Sequence, residues 1–456
     1  MANKVKRGGL NYFVWLIIIV VGLACISASI LLFNPNKDVF GIGLKYISHL
    51  GENNYNTIKV DDDEKDITSL DIDKFNFNST YADFTITKDT NYSQITFNMD
   101  RKVNGFSNDK DYKGCYLDFK YEDKTLTVDV VAPNLWLPFG KTINIVVYFP
   151  KTYDLSEKAF NFNTTEGSIT PALNNSTANI TIKDLSITTT SGKITLNNNL
   201  NVVSGNVSIK SESSKTLVYC DISSNLNYIT KSGKLSVENI SGNLNIDTDA
   251  LDVKCGEIGG NISYASRSGY IRVDKLGKDA STGNFSAEAD KMHIADILIG
   301  EMTGNIDIPN GEKSNITISK ILGEALIETT SGYIKIENAN NNVSLKTTSG
   351  NIWLTQTSAS AKSELETTSG KITTNLTQVK TVDLKSEKGL IEIHVATDLQ
   401  FKLNYSTEKE IRVSWIVGNM DKTGTLIVGG NAETTNVINA TTKYNKIEIS
   451  DGFALN

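Results

Sequence analysis

Between about Gly192 and Gly389 the chain alternates apolar and polar residues in short runs, each introduced by the same turn residues. Clear copies are Ser191-Gly192-Lys193-Ile194-Thr195-Leu196, Ser232-Gly233-Lys234-Leu235-Ser236-Val237 and Ser331-Gly332-Tyr333-Ile334-Lys335-Ile336. Others begin at Ser241, Ser349 and Ser369. An apolar period of two is the mark of a strand with one buried face. Taking the residue two before the first inward position as origin, one series of copies falls at 233, 249, 269, 295, 314, 332, 350, 370 and 389. A second falls at 242, 260, 283, 304, 323, 341, 361 and 380, and the step within each is mostly 18 to 20 residues. A unit this small cannot bury its own apolar face, so it must stack on copies of itself. The pattern predicts an all-β parallel solenoid (a β-helix) of about 19 residues per coil, with two short strands visible in each. Glycine and asparagine suit its corners because both tolerate φ > 0. The rival, an antiparallel meander, needs tight turns of the Asn-Gly or Asp-Gly kind, and these are missing between the copies.

The start of the chain follows another pattern. Phe13 to Phe33 is an uncharged apolar run of 21 residues, long enough to span a bilayer core as a helix. Lys4, Lys6 and Arg7 precede it, which predicts a cytoplasmic N-terminus, a single-pass anchor in the cell membrane and everything after Asn34 outside. A cleaved signal peptide and a lipoprotein are the alternatives, but there is no clean Ala-x-Ala site, and Gly22-Leu23-Ala24-Cys25 puts glycine where a lipobox has Leu or Val. The organisation expected is a tail (1–12), a signal-anchor helix (13–33), a juxtamembrane linker (34–65), an N-terminal β cap (66–155), the solenoid repeats (156–395) and a C-terminal β cap (396–456) whose long strand runs from Ile411 to Val417. Caps are expected because raw strand edges invite aggregation. Within the first cap, Trp136-Leu137-Pro138-Phe139 forms an apolar island among clustered prolines.

Composition fits an exported, extended protein. The formal net charge is −7, so no basic field exists to hold nucleic acid. Cys25 lies in the apolar run, leaving Cys115, Cys220 and Cys255 outside it. By register Cys220 and Cys255 lie two coils apart, roughly 9–10 Å, beyond disulfide reach. All three are expected to be unpaired.

A positive tail, one membrane helix, an irregular β region and Ser-Gly-x-Ile-x-Ile copies together resemble the bacterial "putative adhesin" family, over roughly residues 66–456. The resemblance implies a membrane-anchored β-solenoid of the cell envelope. It brings no catalytic residue, cofactor or metal with it.

The chemistry visible in the sequence is sparse. His49, His293 and His394 are far apart, with no carboxylate or cysteine at metal-ligand spacing, so no metal or cofactor is expected. There is no nucleophile elbow and no phosphate-binding glycine loop ahead of a helix. A glycan-cleaving β-helix needs clustered carboxylates with Arg or Lys on adjacent coils. The nearest such group is Asp247, Asp249 and Asp252 with Lys254 and Arg272, which reads more simply as solvated corner charges. An envelope-stress sensor needs a cytoplasmic effector, and the tail is too short for one. What remains is a non-enzymatic surface-interaction or structural role with a cell-surface glycan or protein as partner. Its candidate patch follows from the alternation: Tyr333 and Trp353 face outward on adjacent coils, with Lys335 beside Trp353 and Lys371 one coil further.

Overall fold

The computed structural model describes residues 15–23, 45–60, 63–107, 114–171, 179–203, 205–278, 282–287, 294–416, 420–429 and 434–452. Residues 15–23 of the apolar run are helical; the rest of the expected span lies outside the described residues. No described helix is long and apolar enough to cross a membrane. The chain divides into two compact units, residues 1–152 with 164–168 and residues 153–163 with 169–456.

The second unit is a parallel β-solenoid, and its register is the one the alternation dictates. Val207–Ile222, Leu226–Ile240, Leu244–Ile258 and Ile262–Leu276 are long strands that each follow a whole coil, so the two strands expected per coil are here continuous. Leu226 lies on Val207, Leu244 on Leu226 and Ile262 on Leu244, all parallel. Further on, each coil splits into two short strands. Ile334 pairs with Ile352, Ile352 with Ile372 and Ile372 with Ile391, steps of 18, 20 and 19 residues. These four side chains are at most 1% exposed and form one apolar column. Ile352→Ala is therefore expected to cost ~2–5 kcal/mol as an internal cavity, read from the urea midpoint. A loss near zero would mean the column does not exist.

The corners separate the two residue types that the sequence suggests for positive φ. Glycine does adopt it at Gly233 and Gly332 (φ 144° and 99°), but among the described residues the non-glycine cases are Asp123 and Lys124. Asparagine serves differently, by laddering. The backbone N–H of Asn243 donates to Asn225 Oδ1 (2.8 Å), that of Asn261 to Asn243 Oδ1 (2.8 Å) and that of Asn284 to Asn261 Oδ1 (3.0 Å). Each side chain satisfies a backbone donor of the next coil, which an isolated turn has no way to do. This explains why asparagine is so common in the chain without any φ requirement.

The C-terminal end is not a simple continuation. The strand Thr381–Ser386 pairs in parallel with Val437–Thr442, not with Phe401–Thr407. Val437–Thr442 in turn pairs on its other side with Phe401–Thr407, and Ile447–Asp451 likewise sits between Ile391–Val395 and Ile411–Val413. The last coil in sequence is thus inserted between two coils that precede it. Thr423–Val428 then covers the outer strand Phe401–Thr407 in antiparallel fashion. The region expected to be a cap carries two further coils, and its strand is Ile411–Val413, shorter than Ile411–Val417; residues 417–419 lie outside the described residues.

In the first unit Lys74–Ser79 and Asp83–Asp89 stack in parallel on Thr125–Val131 and Leu137–Pro150. Antiparallel strands cover these: Tyr116–Glu122 on Thr125–Val131, Thr96–Ser107 on Leu137–Pro150, and Lys45–Tyr55 on Thr96–Ser107. Phe75, Phe77, Phe84 and Phe97 fill its core. The region read from sequence as irregular thus contains parallel coil-like stacking of its own. Cys115, Cys220 and Cys255 are buried and free, as expected.

Candidate functional site

In-register stacking lines up outward side chains as strictly as inward ones. On one face of the solenoid an outward column runs Lys335, Trp353, Thr373, Glu392, Glu448, Arg412, each directly beside the next. The neighbouring column runs Thr355, Asn375, His394, Ser450. Spacing of ~4.8 Å per coil puts Trp353 roughly 19 Å from Arg412 along the stack.

The residues expected from sequence lie on this face. Tyr333 is 46% exposed and Trp353 half-buried. Lys335 is beside Trp353, and Lys371 follows Asn351 in the column of Tyr333, since the Ile334 and Ile352 N–H groups donate to the Asn351 and Lys371 carbonyls. Both lysines have partners: Lys335 pairs with Glu337 at 3.0 Å and Lys371 with Glu392 at 2.6 Å. They are fixed rather than free cations.

Beyond Trp353 the face sinks. Thr373 and Asn375 point outward by register yet are only 3% and 6% exposed. Asn375 Nδ2 reaches Thr355 Oγ1 at 3.5 Å, while its Oδ1 has no hydrogen-bond partner. Beside it, His394 Nδ1 is 2.7 Å from Ser450 Oγ, and its Nε2 is unpartnered and 3.8 Å from Glu392. A cleft of about 380 Å³ opens here, lined by Glu392, His394, Arg412, Ser414, Glu448 and Ser450. Its charges are matched in pairs: Lys446 holds Glu448 at 2.9 Å and Arg412 holds Glu410 at 2.9 Å. The Arg412 hydrogen bond keeps the Glu410 carboxyl below the usual carboxylate range. Left without partners, these two buried polar atoms carry a desolvation cost of ~1–3 kcal/mol each.

Sequence reasoning placed Tyr333 and Trp353 on the outward face but gave no sign of the cleft. Glu392 and His394 are two apart on one strand face, a signal that was available. Glu448 and Ser450 were not legible, because the inserted coil brings them beside Glu392 and His394 from 56 residues away. The carboxylates near Asp249 behave as surface charges: Arg267 pairs with Asp249 at 3.5 Å and Lys234 with Asp252 at 3.8 Å, all well exposed. Among the described residues no group of three or more His, Cys, Asp or Glu is placed to hold a metal; His293 lies outside them. Burial pushes the Cys220 and Cys255 thiols up to about 12 and Cys115 up to about 11, so none is a nucleophile at neutral pH.

The family profile described as Toastrack DUF4097 matches residues 72–294 and 273–450, together well over half of the chain. The chain belongs to this family. Solved structures with similarity to this Toastrack chain include a "putative cell adhesion protein" from Clostridium sporogenes ATCC 15579, at 7% identity over 89% of this chain and 100% of that one, with a TM-score of 0.16. A "putative adhesin" from Bacteroides fragilis NCTC 9343 is 10% identical over 89% and 97%, with a TM-score of 0.14. Another from Parabacteroides distasonis ATCC 8503 is 12% identical over 72% and 97%, with a TM-score of 0.22. No curated protein matches. The resemblance to the "putative adhesin" family stands on the Toastrack match.

Proposed function

We propose that this Toastrack chain is a membrane-anchored, extracytoplasmic solenoid that binds a neutral polyhydroxyl ligand, such as a glycan chain, along the face from Tyr333 to Arg412, without catalysis. The observation that carries the reading is the buried pair of unpartnered atoms, Asn375 Oδ1 and His394 Nε2, between Trp353 and the cleft. Vicinal hydroxyls donate and accept at once, so they suit an acceptor beside an imidazole. The indole of Trp353 offers a stacking surface two coils away. Carboxylates already neutralised by Lys371 and Lys446 favour a neutral ligand over an ion. Anchoring is supported by Lys4, Lys6 and Arg7 ahead of the apolar run.

The test presents the full chain, in detergent, with neutral linear tetrasaccharides of differing linkage. Binding by at least one is expected, insensitive to salt and weakened roughly tenfold or more by Trp353→Ala or His394→Ala. Tyr333→Ala with Trp353→Ala should abolish adhesion of intact cells while melting stays unchanged. Binding that survives both single substitutions overturns the site. Adhesion that needs Trp353 without any glycan binding overturns the ligand class alone. Protease added to the same intact cells should remove the bulk of the protein; complete protection refutes the orientation. One rival has specific support, since Glu392 and Glu448 are register neighbours on adjacent strands and glycan cleavage uses two nearby carboxyl groups. New reducing ends in the tetrasaccharide incubations would establish it.

A further inference from the structure

The first unit carries an exposed aromatic cluster with no role in the solenoid core. Trp136 is 69% and Phe139 61% exposed, the most open aromatic side chains outside the apolar run among the described residues. Phe139 clusters with Tyr46 and Phe106, and Trp136 is tied to them through its backbone: ring centroids lie 5.7 Å apart for Tyr46 and Phe106, 6.4 Å for Tyr46 and Phe139, and 5.6 Å for Phe106 and Phe139. The local backbone explains the arrangement. Tyr46 lies opposite Phe106 on antiparallel strands, and the Trp136 N–H donates to the Phe106 carbonyl at 2.8 Å. Gly105 pairs with Pro138 and Asn104 with Gly140, so Phe139 is the extra residue of a bulge and is turned outward.

The cluster's place in the chain gives it meaning. It sits at the end of the ribbon where Lys45 begins its first strand, and residues 34–44 are all that separate this point from Phe33. Eleven residues reach at most roughly 38 Å when fully extended. Amphipathic Trp and Tyr with Phe prefer the boundary between headgroups and acyl chains, and a soluble surface rarely leaves such rings open together.

We propose that Tyr46, Phe106, Trp136 and Phe139 form a membrane-seating patch that rests the first unit on the outer leaflet of the bilayer in which the chain is anchored. The lipid is recognised by its interface rather than by a headgroup. The direction of seating rests on the proposed anchoring; the patch itself does not.

The full chain is reconstituted into phosphatidylcholine vesicles with Trp15→Phe, Trp353→Phe and Trp415→Phe, so that Trp136 is the one indole. Lipids brominated at shallow acyl positions should quench it more than lipids brominated deeply, with a blue-shifted emission that Phe139→Asp reverses. Quenching by aqueous iodide and not by bromolipid, in vesicles that retain the chain through carbonate washing, overturns the patch while the anchor stands. Shielding from both quenchers also overturns it, since the cover is then protein, such as a second copy. If carbonate extracts the chain, the anchor fails and flotation with preformed vesicles reads the patch by itself. Flotation lost in Phe139→Asp supports it, and no flotation of the parent refutes it.

Discussion

A chain ending at residue 433 is expected to lose two coils, although only one has been removed. Among the described strands, the coil formed by Phe401–Thr407 and Ile411–Val413 does not pair with its sequence predecessor; it stacks on Val437–Thr442 and Ile447–Asp451, which come later. Deletion removes Ile438, Ile447 and Ile449, all at most 2% exposed and worth ~1.5–3 kcal/mol each as buried apolar surface. It also exposes the upper edge of Thr381–Ser386 and Ile391–Val395 as unpaired donors and acceptors. Hydrogen exchange should therefore show residues 401–413 unprotected while residues 334–376 remain slow, because a solenoid's coils depend on nearest neighbours. The cleft goes with them, since Glu448, Ser450 and Arg412 all belong to the lost or orphaned coils. The competing outcome is collapse of the outer coil directly onto Ile391–Val395. Protection of residues 401–413 in the shortened chain would demonstrate that collapse and refute a dependence on insertion.

The insertion also marks where sequence reading stops. From Ile334 to Ile391 the fold was legible because each contact repeats at short, regular separation, so the period fixes both the partner and the face. Trp353 was placed outward and beside Lys335 by counting alone, and the register agrees. Between Val382 and Ile438 the same ladder contact spans 56 residues with no intermediate copy to signal it. Nothing local distinguishes Val437–Thr442 from the strands that precede it, since the inward alternation is the same; only the order of stacking differs. The site is hard to read for the same reason. Half of it, Trp353 with Thr373 and Asn375, comes from consecutive coils, whereas its cleft is assembled from strands that are neighbours in space alone. The corner asparagines are a third case: their frequency was plain, but their bonding partner lies one coil away and is invisible to any local rule.

Gly370→Ala is expected to be among the most damaging single-methyl changes in the solenoid. Thr-Thr-Ser-Gly occurs at 189–192, 329–332, 347–350 and 367–370, and in the last copy both ends of the motif act. Thr367 Oγ1 accepts the Gly370 N–H at 3.0 Å and donates to the Gly350 carbonyl at 3.3 Å. Ser386 repeats the pattern toward Gly389 and Gly370, and Thr442 of the inserted coil donates to the Gly389 carbonyl at 3.1 Å. The glycines therefore stack face to face. A Cβ on Gly370 would overlap the Gly350 carbonyl oxygen deep within van der Waals contact and crowd Thr367 Oγ1 at 2.9 Å. The obstructing atom is backbone, so relief requires moving a whole coil. The cost should be about 3 kcal/mol or more, the upper end of overpacking, against at most ~0.5 kcal/mol for the exposed neighbour Ser369→Ala. Because Lys371 and Thr373 follow at once, the shift should also disturb the trough below Trp353, and the glycan binding proposed above should weaken in parallel. Urea midpoints for the two variants decide the matter. Equal midpoints would show that the corners have slack, and would overturn close stacking as the reason for glycine here, since Gly370 is not among the glycines with positive φ.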